Sequence, residues 1–164
     1  FCSPGAAQDN LNLYINGCDT DGRSFGDMPL DNLSKNTFNI ALLYDRGPIS
    51  ARLAYNWRGR YLYGVALNSD NTGPNQTNAL DTNPASATYG QHNLPVGLPL
   101  WADSYGQLDA GVHVKFGNDL SVGFDATNLT NKTYKQIMQQ HIGMIGHNYF
   151  TSGRGYRVSA QYSF

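Results

Sequence analysis

Residues 49 to 63 sort by parity into two unlike sets. Successive side chains of a β-strand point to opposite faces, so this sorting identifies both the element and its orientation. Ile49, Ala51, Leu53, Tyr55, Trp57, Gly59, Tyr61 and Tyr63 carry no charge, whereas the interleaved Ser50, Arg52, Ala54, Asn56, Arg58 and Arg60 hold three guanidiniums. Four further segments behave alike. Their oily positions are Phe38, Ile40, Leu42 and Tyr44; Leu108, Ala110, Val112, Val114 and Phe116; Leu120, Val122, Phe124 and Ala126; and Tyr156, Val158, Ala160, Tyr162 and Phe164. Between them stand Asn39, Asp109, His113, Lys115, Asp125, Arg157 and Gln161.

Composition agrees with strands. All 12 acidic residues are Asp, and 18 Gly and 11 Tyr favour turns and sheet over helix. The balance of 11 basic against 12 acidic residues argues against nucleic acid as a partner. No apolar run reaches the roughly 18 residues of a membrane-crossing helix. The start, Phe1-Cys2-Ser3-Pro4-Gly5, has neither an initiating Met nor a leader pattern, so further sequence is expected upstream.

Turn lengths test the facing, because a slip of one residue would move every apolar side chain to the wrong side. Asp45-Arg46-Gly47-Pro48 separates Tyr44 from Ile49, and Gly117-Asn118-Asp119 separates Phe116 from Leu120; both spacings keep the oily faces together. Gly and Asn supply the positive φ a short hairpin needs. At the other strand ends lie long polar segments, 1 to about 34, 64 to about 103 and 128 to about 153. Loops of that size are uncommon in compact soluble domains but ordinary in outer-membrane barrels. The expected fold is therefore all-β: an antiparallel transmembrane β-barrel fragment of about five meander strands, with short periplasmic turns and long extracellular loops. A soluble β-sandwich binding module is the alternative, since its strands alternate too. Five strands at about 4.8 Å spacing span roughly 24 Å, whereas the smallest membrane barrels need about eight, so further strands are required.

Three stretches resemble one family. Tyr156-Arg-Val-Ser-Ala-Gln-Tyr-Ser-Phe164 is similar to the last strand of bacterial outer-membrane proteins. Asn128-Leu129-Thr130-Asn131-Lys132-Thr133-Tyr134 resembles the Asn-Leu-Phe-Asp-Lys-x-Tyr segment after the penultimate strand of TonB-dependent receptors, with Thr130 in place of Phe. Pro29-Leu30-Asp31-Asn32-Leu33-Ser34-Lys35, followed by a strand, a Gly-Pro turn and an Arg-Leu-x-Tyr-x-Trp-Arg strand, looks like the late barrel of that family. The resemblance covers residues 29 to 63 and 104 to 164. It implies that 1–164 is the C-terminal part of a barrel of about twenty-two strands. That barrel would be plugged by its own N-terminal domain and sit in the bacterial outer membrane, importing a scarce nutrient such as a siderophore or carbohydrate. Energy would come from the TonB-ExbB-ExbD system through a TonB box in the missing N-terminal part. A substrate-specific porin is the passive alternative.

No nucleophile-elbow pattern, triad or carboxylate pair is indicated, so no catalytic residue, cofactor or metal is expected. Asp19-Thr20-Asp21-Gly22 is similar to part of a calcium loop, but Gly17 and Met28 occupy its first and twelfth positions, and a polar turn fits better. Met138 to His147 concentrates thioether and imidazole groups, open either to soft metal binding or to loop packing. Cys2 and Cys18 share one loop and are candidates for a disulfide, with two free thiols as the alternative. Arg58, Arg60, Trp101, Asp103 and Tyr105 stand where the longest loop leaves and re-enters the barrel. With His141 and His147 they are ligand-binding candidates, an aromatic girdle and solvated rim charges being the plainer roles. Arg52, Asp109, His113, Lys115, Asp125 and Arg157 are expected to face the lumen.

Overall fold

The computed structural model describes residue 2 and residues 14–65, 79–117 and 119–163; Asn118 and the terminal Phe164 lie outside the described residues. It is all-β and antiparallel. Its strands are β1 (Thr37–Arg46), β2 (Ile49–Arg58), β3 (Tyr61–Val65), β4 (Ala79–Leu80), β5 (His92–Leu94), β6 (Pro99–Ala102), β7 (Tyr105–Phe116), β8 (Leu120–Thr127), β9 (Thr133–Gln140), β10 (Gly143–Thr151) and β11 (Gly155–Tyr162). No helix among the described residues is long and apolar enough to cross a membrane, which says nothing about a β-barrel. The chain divides into two compact units.

One unit comprises residues 35–59, 104–134 and 149–164. It holds a five-stranded sheet in the order β1-β2-β7-β8-β11, and this sheet is not closed. Its register brings the oily residues into rows. Leu42 pairs with Leu53, Leu53 with Ala110, Ala110 with Ala126 and Ala126 with Tyr156; the next row is Tyr44, Ala51, Val112, Phe124 and Val158. The expected facing is therefore met in all five strands. The β1–β2 turn is tighter than the sequence spacing implies, because Arg46 pairs with Ile49 and leaves only Gly47 and Pro48 to reverse the chain. Gly47, at φ 60°, adopts the left-handed conformation that a Cβ would strain. The apolar face remains uncovered: Leu42 is 65% exposed, Phe124 47% and Val158 74%. Aromatic rings group at the long-connection end, where Phe38 stacks on Trp57 with centroids 5.3 Å apart.

Asn128 staples this sheet. Its side chain is buried and its backbone is left-handed at φ 53°. The amide N–H donates to Asp109 Oδ1 at 2.9 Å, Nδ2 donates to the Gly153 carbonyl at 2.8 Å, and Oδ1 accepts from the Lys132 N–H at 2.9 Å. Asn tolerates the left-handed region better than most residues and can satisfy all these groups at once.

The other unit comprises residues 1–34, 60–103 and 135–148. Here the expectation of long loops is corrected. The polar connections carry a four-stranded sheet in the order β10-β9-β6-β3 and the small β4–β5 pair. The expected single strand over 49–63 is corrected as well: β2 ends at Arg58, and Tyr61 and Tyr63 belong to β3. Tyr61 and Leu62 are both buried there while Tyr63 is 41% exposed, so the alternation of β2 does not carry through β3. That core gathers Leu62, Val65 and Leu94 around Cys2 and Cys18, which form a disulfide. Polar, Gly-rich connections have too few apolar side chains for a large core, and the cross-link compensates by restricting the unfolded chain.

Replacing both Cys2 and Cys18 by Ser should destabilise this unit by about 3 kcal/mol, read as faster amide exchange in β3 and β6. Asn128→Ala should weaken the five-stranded sheet by about 2 to 3 kcal/mol, because buried donors and acceptors lose their partners. Exchange protection in β8 and β11 is the measurement for that variant.

Candidate functional site

The polar face of the five-stranded sheet is concave, with a cavity of about 520 Å³ lined by Arg52, Asn56, Asp109, His113 and Asp125 among others. Period-two alternation puts these residues on one side, and register decides which of them meet. Gly111 stands opposite Asp125, and a Cβ there would come within 2.8 Å of Asp125 Oδ1. The glycine lets the carboxylate lean toward His113, whose Nε2 lies 3.3 Å from Asp125 Oδ1. On the other side Arg157 pairs directly with Asp125, with Nε 3.8 Å from Oδ2. Arg52 lies on the same row, opposite Gly111. Along β7, Tyr105 Oη donates to Gln107 Oε1 at 3.1 Å, and Gln107 Nε2 donates to Asp109 Oδ1 at 2.8 Å. Tyr105 also packs edge-on against Tyr134 at 6.2 Å. Lys115 is exposed near the short-turn end of the same face, and Arg58 ends β2 opposite Thr37 and Tyr105. Charges of both signs held over an open concavity can orient a polar ligand or pair with another protein segment.

The second group lies in the disulfide-bonded unit. Arg60 and Asp103 flank the β3–β6 pairing, and Arg60 Nη2 lies 3.2 Å from Asp103 Oδ1. Both side chains are substantially exposed, so the pair contributes less than about 1 kcal/mol. Trp101 is used inside the unit. It packs against the disulfide core, and its indole N–H donates to Gln139 Oε1 at 2.7 Å. His147 lies on β10, away from any group of three potential metal ligands among the described residues.

His141 has neighbours that its spacing from Met138, Met144 and His147 does not reveal. It occupies the β9–β10 turn, where its backbone N–H donates to Asp19 Oδ2 at 2.6 Å. Its ring Nδ1 lies 3.2 Å from Asp19 Oδ2 and 3.1 Å from each Asp21 oxygen. The ring stacks on Phe25 with centroids 4.5 Å apart. Arg23 Nη2 grips Asp21 Oδ2 at 2.6 Å. Asp19 is buried, and its Oδ1 accepts from the Thr20 N–H at 2.7 Å. Asp19, Asp21 and His141 thus offer three ligand atoms within 4.8 Å of one another. Nothing in the sequence joins residues so far apart.

Two carboxylates of this unit titrate low. Burial pushes Asp21 upward, but hydrogen bonds from Arg23 and His141 outweigh it and hold the group below the ordinary value of 3.8. Hydrogen bonds from Ser86, Thr88 and the Asn83 amide do the same for Asp81.

No protein-family model, curated protein or solved structure matches this chain.

Because the folded state lowers both carboxylate pKa values, their stabilisation is present above the ordinary value. It is lost as pH falls through the lower folded values. Thr88→Val removes one donor to Asp81, so it should weaken the β4–β5 region at neutral pH and flatten its loss of stability below about pH 4. Hydrogen exchange of residues 79–94 between neutral and strongly acidic pH measures this; an unchanged pH slope would contradict the assignment.

Proposed function

We propose that this chain is the C-terminal part of the barrel of a TonB-dependent outer-membrane receptor, and that the intact protein imports a scarce nutrient with energy delivered through TonB. The observation that carries this reading is the uncovered apolar face. Its rows run in register across five strands, and many of its large residues, from Leu120 to Val158, are 37–74% exposed, while Tyr55, Trp57, Leu108, Val114 and Val122 are part-buried. At about 4.8 Å per strand and 3.3 Å per residue its footprint is on the order of 750 Å². Soluble monomers rarely expose a contiguous apolar patch beyond a few hundred Å². Hydrocarbon supplies the missing cover.

The sheet edges support the same reading. β1 and β11 each have a neighbour on one side only among the described residues. In a bilayer each unsatisfied backbone group costs several kcal/mol, so further strands of a closed barrel pair with both edges. The polar concavity then lines the interior, where Arg52, Asp125 and Arg157 face water or a plug. The long connections face outward from the cell, in a setting oxidising enough to keep Cys2 and Cys18 bonded. There Arg60 and Asp103 in the disulfide-bonded unit, and separately Arg58 and Tyr105 at the ends of β2 and β7, are candidates to meet a ligand. The active rather than passive form of transport rests on the resemblance of 128–134 and of the last strand to receptors of this class.

Leu53→Arg in the intact protein places a cation on the lipid side and costs about 2 to 4 kcal/mol near the midplane. It should abolish stable insertion, scored by heat-modifiable migration of the outer-membrane fraction. Asn56→Arg, on the polar face, should insert normally. Equal behaviour of the two variants, or folded protein recovered without detergent, would sink the barrel reading. Normal insertion with uptake that survives loss of TonB would leave a passive channel instead.

A further inference from the structure

We propose that Asp19, Asp21 and His141 form a binding site for one divalent transition-metal ion, with zinc as the representative. The site would clamp the β9–β10 turn to the segment that follows the disulfide-bonded Cys18. This inference is independent of the transport reading, since it concerns the disulfide-bonded unit alone.

The geometry favours a small tetrahedral ion. Zinc binds imidazole nitrogen and carboxylate oxygen at about 2.0–2.2 Å, which sets neighbouring ligand atoms of a tetrahedron about 3.3–3.6 Å apart. His141 Nδ1 already stands 3.2 Å from Asp19 Oδ2 and 3.1 Å from Asp21 Oδ1. The Asp19 and Asp21 oxygens lie within 4.8 Å of each other, so an ion draws these two carboxylates together as it binds. The donor set, two carboxylates and one imidazole, suits zinc and its divalent neighbours; soft copper(I) prefers sulfur, and calcium requires six or more oxygens.

Supporting contacts hold each ligand. Thr20 fixes Asp19 through its Oδ1, while Oδ2 accepts the His141 N–H and turns its other lone pair toward the ion. Arg23 holds Asp21 Oδ2 through Nε at 2.8 Å and Nη2 at 2.6 Å, and its backbone N–H donates to Oδ1 at 3.0 Å, which leaves Oδ1 a second lone pair to ligate. Phe25 sets the plane of the imidazole. Such contacts orient ligands and raise affinity in metal sites generally. Asp19 is almost wholly buried, but the side chains of Asp21 and His141 are 35% and 26% exposed, which gives the ion an entry path and a fourth position for water or a ligand donor. The competing occupant is a proton. An imidazolium at His141 would satisfy the same two carboxylates, and the experiment separates the two.

The intact purified protein is stripped with a chelator and titrated with Zn²⁺ by calorimetry near pH 7.5. The site predicts one saturating Zn²⁺ per chain beyond any taken up by a His141→Gln, Asp21→Asn double variant. Each single variant should weaken that event at least about tenfold. His147→Gln should bind as wild type. Co²⁺ should give the intense visible bands of a tetrahedral site in the wild type and lose them in His141→Gln. Thiol titration checks that every variant retains its disulfide and hence its fold. Absence of saturable Zn²⁺ binding, wild-type affinity in His141→Gln or Asp21→Asn, or an equal loss in His147→Gln would overturn the site. Membrane insertion of His141→Gln should be normal, so either proposal can fail without the other.

Discussion

Everything in the five-stranded sheet depends on the pleat that sends alternate side chains to opposite sides, and on a register that never slips. Leu42, Leu53, Ala110, Ala126 and Tyr156 form one unbroken row because each strand meets its neighbour in phase. A single bulge would carry Arg52 or Asp125 onto the apolar side. The order is enforced by tight reversals at Gly47–Pro48 and after Gly117, and by Asn128 at the opposite end of β8. Apolar cover and polar interior are thus two outcomes of one backbone geometry.

The disulfide-bonded unit obeys a different logic. Its strands β3 to β6 have two to five residues, register shifts fall between Leu62 and Gly64 and between Ala79 and Leu80, and its core is small. Cross-linking and side-chain hydrogen bonds replace extensive burial. Asp81 illustrates this, organising a whole turn by accepting from the Asn83 amide at 3.0 Å and the Thr88 hydroxyl at 2.7 Å. Where apolar surface is scarce, such polar frames set the conformation of a connection.

Residues 38–58, 105–126 and 156–162 were legible because period two needs only local sequence. With Phe116 opposite Leu120 across the Gly117–Asp119 turn, Gly111 stands opposite Asp125 and His113 falls diagonal to that carboxylate, a contact that turn length alone fixes. The stop at Gly59 was not legible, since Tyr61 and Tyr63 keep the parity of the strand before them although Tyr61 pairs with Ala102 of β6 and Tyr63 sits at a bulge. Nor was the second sheet, whose β3 and β6 have only five and four residues and pair with strands distant in sequence. The convergence of Asp19 and Asp21 with His141 was hidden for another reason. It depends on contacts 120 and 122 residues apart in sequence, and no spacing rule reaches that far.

The pairing order also has a kinetic consequence. β1 with β2 and β7 with β8 are local hairpins, the kind of element that forms in microseconds. Joining β2 to β7 requires closing the entire segment from Gly59 to Ser104. Each doubling of loop length adds about 0.6 kcal/mol of entropic cost, so this step lags the hairpins by a barrier difference of about 2 to 3 kcal/mol. The two hairpins are therefore preassembled pieces that dock late.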